Sequence, residues 1–155
     1  MKEIKVLIVE DRDVIRDSIR LSLLRSKTIK IIGEASDGYE AIEMVKRHDY
    51  DVVLMDINMP NMNGIEATKK ILKINPKIKI LGNSFFVNAE YVFQILNAGA
   101  FGFITKGENA SKYQEAILSV SNGSVYLSDE IDNVVYDKVF SYFRCSDQHT
   151  LENYF

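Results

Sequence analysis

Residues 51–56 read DVVLMD, an almost continuous apolar run that ends in a carboxylate. A strand that packs helices against both of its faces has this composition, because neither side of the strand meets water. Residues 4–9 read IKVLIV, and a pair of acidic residues follows them at once. Both segments therefore predict central strands of a parallel sheet.

Three further short apolar runs complete a set of five, at residues 29–33, 77–81 and 100–104. Amphipathic segments follow the five runs, at residues 13–26, 38–48, 64–75, 88–98 and 109–122. Strands that alternate with helices of this length are typical of βαβ units. The pattern predicts the α/β class and a doubly wound, five-stranded parallel sheet of flavodoxin-like topology, with strand order 2-1-3-4-5.

The bulk composition narrows the class of protein. The chain has 155 residues, a net charge of −3 and a single cysteine, Cys145, which can form no internal disulfide. The slight acidity argues against a nucleic-acid-binding surface on the domain, because contacts with phosphates need a basic stripe. The sequence shows neither a signal peptide nor an apolar run of about 18 residues. We therefore expect a cytoplasmic protein without membrane contact.

The residues after Gly123 follow a different pattern. Ser128 is suited to cap a helix, and apolar residues then recur at helical spacing, at Ile131, Val134, Val135, Val139 and Tyr142. We expect three segments: a domain at residues 1–123, a linker helix at 124–143, and a tail at 144–155 that is either disordered or the start of a truncated output region.

Residues whose side chains could take part in a reaction follow four of the five apolar runs. Glu10 and Asp11 follow the first run, Asp56 the third, Ser84 the fourth and Lys106 the fifth. Because the carboxyl ends of parallel strands meet at one edge, these side chains should converge. Clustered carboxylates repel one another, so protons or a cation must compensate, and oxygen ligands favour Mg²⁺. Asp56 could then attack a phosphoryl group while Lys106 neutralises charge and Ser84 donates a hydrogen bond.

Four pieces of the sequence resemble the receiver domains of two-component response regulators. They are VLIVED at 6–11, DINMPNMNG at 56–64, Ser84, and AGAFGFITK at 98–106. The AGA segment, with VYLS at 125–128 downstream, is similar to the NarL/FixJ-type subfamily in particular. The resemblance covers about residues 2–127, and its four pieces stand in the family's order at the predicted strand ends.

The resemblance implies a role for each residue of the site. Asp56 would be the phosphoryl acceptor. Asp11 and Asp56 would bind Mg²⁺ through their side chains, Asn58 through its backbone carbonyl, and Glu10 through water. Ser84 and Phe103 would form a switch pair, in which the hydroxyl moves towards the phosphoryl group and the ring turns inward.

The resemblance also implies partners. A sensor histidine kinase would supply the phosphoryl group, and phosphorylation would favour a homodimer. The chain would be a phosphoacceptor that assists its own chemistry, not an enzyme with a separate substrate. DNA would be bound only by an output domain outside these 155 residues. We expect a fragment of a transcription regulator, and the alternative is a natural single-domain regulator that acts through protein–protein contacts.

The sequence departs from the usual receiver pattern in four places. Glu10 replaces the commoner Asp, and Gly107 stands where many receivers have proline. Phe85 is bulky where a small residue would ease the access of small phosphodonors, and the pair Gly82-Asn83 is an unusually polar end to a core strand. None of these departures removes a catalytic group.

Three other classes fit the sequence less well. A phosphatase-like hydrolase with an aspartyl nucleophile usually carries a second acid two positions later, where this chain has Asn58. A pseudo-receiver would not need the complete set of acids, serine and lysine. A flavin carrier would need a phosphate-binding loop after the first strand, where this chain has acidic residues.

Overall fold

Strands and helices alternate along the chain as the sequence predicts. The computed structural model describes residues 2–86, 88–131 and 137. The strands are β1 (Ile4–Val9), β2 (Ile29–Ala35), β3 (Val52–Asp56), β4 (Lys79–Ser84), β5 (Gly102–Thr105) and β6 (Tyr126–Leu127). The helices are α1 (Asp13–Leu23), α2 (Gly38–Arg47), α3 (Gly64–Ile74), α4 (Ala89–Asn97) and α5 (Ala110–Ser121).

All strand pairs are parallel, in the order β2-β1-β3-β4-β5-β6. The predicted order of the first five strands is therefore confirmed. The sixth strand was not predicted: Tyr126 and Leu127 pair with Gly102 and Phe103, so the sheet continues past Gly123. In β2, the outer strand on the opposite side of the sheet from β6, the register with β1 shifts by one residue at Ile32, which marks a bulge.

The core has two layers because successive residues of each central strand point to opposite faces of the sheet. Val6 and Ile8 of β1 pack under α1 and α5, whereas Leu7 and Val9 pack under α2, α3 and α4. Residues 52–55 of β3 alternate in the same way and are fully buried. The unbroken apolar runs thus reflect burial on both faces, and the polar chemistry is confined to the strand ends.

Four helices begin at side-chain caps that lie shortly after the carboxyl ends of strands. The side chains of Asp37, Asn63, Asn88 and Asn109 each accept a hydrogen bond from the backbone N–H three residues later, at 2.8–2.9 Å. In the sequence, the spacing of Asp37 and Glu40 predicts a capping box, and Asn88 and Asn109 are predicted caps; the structure confirms these three and adds Asn63. Such caps satisfy backbone donors that the first turn leaves open.

The segment after α5 is bound to the sheet. Residues 126–127 form β6, and the side chain of Ser128 accepts a hydrogen bond from the Thr105 N–H at 2.8 Å. Ile131 is 6% exposed and belongs to the core on the α2–α4 side. Residues 124–131 therefore form a strand and a turn and not the start of the predicted linker helix.

The rest of the predicted linker helix and the tail at 144–155 lie outside the described residues, except for position 137. Within the part of the chain that the structure describes, no helix combines the length and apolar character needed to cross a bilayer.

Candidate functional site

The carboxyl ends of β1, β3 and β5 bring two acids and a lysine into contact. Asp56 is the last residue of β3, Glu10 follows β1 and Lys106 follows β5. Glu10 and Asp56 are each 1% exposed and Lys106 is 8% exposed. The Lys106 ammonium lies 3.0 Å from Asp56 Oδ1 and also contacts Glu10 Oε1. The lysine thus bridges two buried carboxylates.

Asp11 completes an acidic cluster. One carboxylate oxygen from each of Glu10, Asp11 and Asp56 lies within 4.8 Å of the other two. Glu10 Oε2 accepts a hydrogen bond from the Arg12 N–H at 3.0 Å, and Asp56 Oδ1 accepts one from the Asn58 N–H at 3.2 Å. Asp56 Oδ2 is buried and has no hydrogen-bond partner among the described residues.

The cluster carries more negative charge than its lysine balances. Burial raises the pKa of Asp56 to about 7; the Lys106 ammonium opposes this shift and the Glu10 carboxylate adds to it. A cation at the cluster would relieve the repulsion. The donor set suits Mg²⁺, which prefers hard oxygen ligands, and Asp56 Oδ2 is an unsatisfied oxygen at the cluster.

The backbone of Asp56 is held in place by the start of α3. The Gly64 N–H donates to the Ile57 carbonyl at 2.9 Å. A Cβ atom at Gly64 would lie 2.1 Å from the backbone oxygen of Asp56, a distance that no side chain can occupy. Glycine at this position therefore allows the helix to approach the strand end directly.

Ser84 ends β4 next to the charged groups. Its hydroxyl accepts hydrogen bonds from Asn58 Nδ2 at 3.2 Å and from the Phe86 N–H at 3.1 Å. Its carbonyl accepts a hydrogen bond from the Lys106 N–H at 2.9 Å. Because the hydroxyl accepts both of its bonds, its own proton remains available for a further acceptor.

Two aromatic residues occupy different environments near the site. Phe103, the predicted switch partner of Ser84, is fully buried in β5 within the core on the α2–α4 side. Phe85 is 52% exposed, and the centroid of its ring lies 5.4 Å from the Lys106 ammonium. Phe85 therefore borders the lysine, whereas the structure places the Phe103 ring in the core.

Two polar contacts at the site were not predicted from the sequence. Arg16 of α1 donates a hydrogen bond to the Glu10 carbonyl at 2.7 Å. In the sequence, Arg12, Arg16 and Arg20 recur at helical spacing, which indicates only a solvated helix face. The Tyr113 hydroxyl of α5 donates to Asn83 Oδ1 at 3.3 Å. The polarity of Asn83 in a core strand was the one signal in the sequence for the second contact.

The carboxyl ends of this doubly wound parallel sheet bring together an acidic pair, a strand-end aspartate, a serine and a lysine. This is the architecture of a signalling receiver. Residues 6–118 match the response regulator receiver domain. The chain belongs to this family of two-component response regulators, as its motifs predict.

The curated relatives are longer than this chain. Response regulator UvrY of Escherichia coli (strain K12) is 37% identical over 128 residues, which is 83% of this chain and 59% of UvrY. Transcriptional regulatory protein DegU of Brevibacillus brevis is 32% identical over 129 residues, which is 83% of this chain and 55% of DegU. The chain spans less than two thirds of each relative. Both are regulators of the NarL/FixJ family, which confirms the predicted subfamily.

Solved structures agree with this assignment. A LuxR-family response regulator from Aurantimonas sp. SI85-9A1 superposes with a TM-score of 0.82 at 25% identity, covering 88% of this chain and 98% of that one. The receiver domain of NarL from Mycobacterium tuberculosis superposes with a TM-score of 0.75 at 28% identity, covering 79% and 99%.

Proposed function

We propose that this chain accepts a phosphoryl group from a sensor histidine kinase on Asp56, with Mg²⁺ bound at the acidic cluster. The observation that supports this most directly is the environment of Asp56. One of its oxygens contacts Lys106 and the Asn58 N–H, and the other is buried without a hydrogen-bond partner among the described residues. Strongly perturbed carboxylates of this kind are typical of functional sites.

The metal would be held by the side chains of Glu10, Asp11 and Asp56, with Glu10 acting through water, and by the backbone carbonyl of Asn58. When bound, Mg²⁺ offsets the carboxylate repulsion and the charge of the transferring phosphoryl group. Lys106 already contacts Asp56 and is positioned to share that task.

The transfer itself requires little covalent chemistry from the protein. The Asp56 carboxylate attacks phosphorus and forms the new P–O bond. The P–N bond to the donor histidine breaks, and its electron pair returns to the ring nitrogen. Lys106 neutralises the developing charge, and the Ser84 hydroxyl donates a hydrogen bond to a phosphoryl oxygen.

The phosphorylated state would act through the switch pair. Ser84 would move towards the phosphoryl group as it leaves Asn58 and the Phe86 N–H, and the Phe103 ring would adjust within the core. Phosphorylation thereby biases a two-state surface that favours a homodimer. In the cytoplasm this surface would control a DNA-binding output domain and hence transcription, a role consistent with the regulators to which the chain is similar.

The test is covalent labelling by a small phosphodonor such as acetyl phosphate in the presence of Mg²⁺. We expect an intact-mass increase of one phosphoryl group that hydroxylamine removes, as it does from an acyl phosphate. Asp56→Asn should abolish the labelling, because an amide is not a nucleophile. Asp51→Asn is the matched control, since Asp51 lies just before β3, at its opposite end. Wild-type labelling of Asp56→Asn would refute the assignment of the acceptor.

A further inference from the structure

Asn83 is a buried polar residue that the proposed chemistry does not use. It lies in β4, is 1% exposed, and is directly followed by Ser84. Its Cα pairs in register with that of Asp56 across β3 and β4. A buried amide is costly unless its hydrogen bonds are satisfied, so an asparagine here needs a specific partner.

The partner is Tyr113 in the second turn of α5. Tyr113 is 3% exposed, and its hydroxyl donates to Asn83 Oδ1 at 3.3 Å. Burial raises the pKa of Tyr113 to about 12, so the phenol keeps its donor proton at any physiological pH. The remainder of the Tyr113 ring packs in the apolar layer under α1 and α5.

The hydrogen bond joins the elements that carry the reactive groups. Asn83 stands beside Asp56 and immediately before Ser84. Tyr113 stands on the helix that follows Lys106 after a short loop, and the Lys106 N–H donates to the Ser84 carbonyl at 2.9 Å. The tyrosine thus connects α5 to the end of β4, whose last residue also accepts the hydrogen bond from the Lys106 N–H.

We propose that Tyr113, through its hydrogen bond to Asn83, is a positioning residue that fixes Ser84 and Lys106 relative to Asp56 for phosphoryl transfer. This inference rests on the proposed function of Asp56. Tyr113 forms no hydrogen bond with the acidic cluster among the described residues, but, besides burial, the Glu10 carboxylate raises its pKa and the Gly107 backbone, next to Lys106, lowers it. The hydrogen bond to Asn83 is the contact that ties it to β4.

The first test compares two conservative variants of buried tyrosines. Tyr113→Phe removes only the hydroxyl, and we expect labelling by acetyl phosphate at saturating Mg²⁺ to slow roughly tenfold, since small misplacements of reactive groups are costly. The concentration of Mg²⁺ needed for half-maximal labelling should not change. Tyr50→Phe is the matched control, because the Tyr50 hydroxyl is buried without a partner among the described residues. It should label at the wild-type rate.

The second test separates positioning from simple stability. Tyr113→Phe alone leaves Asn83 without its partner and should lower the unfolding midpoint. The double variant Asn83→Leu with Tyr113→Phe replaces both polar partners, so its unfolding midpoint should return towards that of the wild type. Labelling should stay slow, because the connection between α5 and β4 is still missing. If the double variant regains the wild-type labelling rate together with its stability, Tyr113 has only a structural role and the inference is wrong.

A third measurement does not depend on phosphoryl transfer. The Lys106 N–H should exchange with solvent faster in Tyr113→Phe and in the double variant, and at the wild-type rate in Tyr50→Phe. Unchanged exchange of this amide in Tyr113→Phe would overturn the inference. A wild-type chain that gains no phosphoryl group would instead contradict the proposed function, so the two failures are distinguishable.

Discussion

Asp11 differs from the two acids beside it in exposure and in pairing. Glu10 and Asp56 are buried and share Lys106, whereas Asp11 is partly exposed. Among the described residues, no basic side chain lies within ion-pair distance of Asp11. Its charge therefore adds repulsion to the cluster while leaving a carboxylate open to an incoming cation.

This arrangement predicts opposite effects of Asp11→Ala with and without metal. Without metal, the free energy of unfolding should rise by up to about 1 kcal/mol, because one repelling and partly screened charge is gone. Mg²⁺ should stabilise the wild type by mass action but no longer stabilise the variant. Urea unfolding with and without Mg²⁺ measures both effects.

The control for this prediction is Asp49→Ala, which removes an exposed acid that precedes β3, far from the carboxyl end of that strand. This variant should keep the stabilisation by Mg²⁺. If Mg²⁺ raised the unfolding midpoint of Asp11→Ala as much as that of the wild type, Asp11 could not be a metal ligand.

Among the helices, α2 and α3 begin in the same way but meet different neighbours. Each starts with glycine directly after a capping residue, Asp37 or Asn63. A Cβ atom at Gly38 would meet the flexible Met62 side chain, with its sulfur at 2.9 Å. A Cβ atom at Gly64 would instead meet the rigid backbone of Asp56.

The pair of glycines therefore gives a matched comparison. Gly64→Ala should destabilise the protein by about 1–3 kcal/mol, because α3 must move away from β3. It should also slow the labelling of Asp56, since the acceptor's backbone shifts with the helix. Gly38→Ala should cost less and leave labelling unchanged. Denaturant unfolding and labelling rates check both, and equal costs in the two variants would contradict the steric account.

The helices could be predicted closely because their signals are local. The starts of α2 and α3 follow from an Asx cap with Glu three residues later, at Glu40 and Glu66. The apolar run predicts β4 only as far as Leu81, since Gly82 to Ser84 are polar or small and are buried only by tertiary partners. The two-residue strand β6 is too short to show any periodicity.

The site shows the same division between local and tertiary signals. The acids, Ser84 and Lys106 could be predicted to converge because each stands at the end of an apolar run in a parallel sheet. The contacts of Arg16 with Glu10 and of Tyr113 with Asn83 depend on how α1 and α5 lie against the sheet. Helix orientation of this kind is set by packing and leaves little trace in residue spacing.

For the molecule as a whole, the segment after α5 is part of the packed domain. Ile131 is buried against the core, and Ser128 accepts a hydrogen bond from the Thr105 N–H. The sequence prediction assigned Ile131 to the apolar stripe of a linker helix that either docks on the receiver or pairs with another copy. We retain the proposal that the residues beyond it, up to about 143, couple the receiver to an output domain.

Two truncations test how much this segment contributes. A chain ending at Leu127 should lose about 2–4 kcal/mol of unfolding free energy, because the burial of Ile131 and the hydrogen bond from Thr105 both disappear. A chain ending at Ile131 keeps both and should be close in stability to the full chain. Denaturant unfolding of the three chains provides the comparison. If the chain ending at Leu127 were as stable as the other two, the segment would contribute nothing to the fold.

The two borders of the sheet bear on solubility. An exposed strand edge with a long run of free backbone groups is a template for aggregation with other chains. Here β6 covers part of β5 and is only two residues long, and the bulge at Ile32 interrupts the opposite border in β2. Among the residues that the structure describes, neither border offers a long flat ladder for another chain to extend. Crowded copies of this domain should therefore resist fibril growth by strand addition at these two borders.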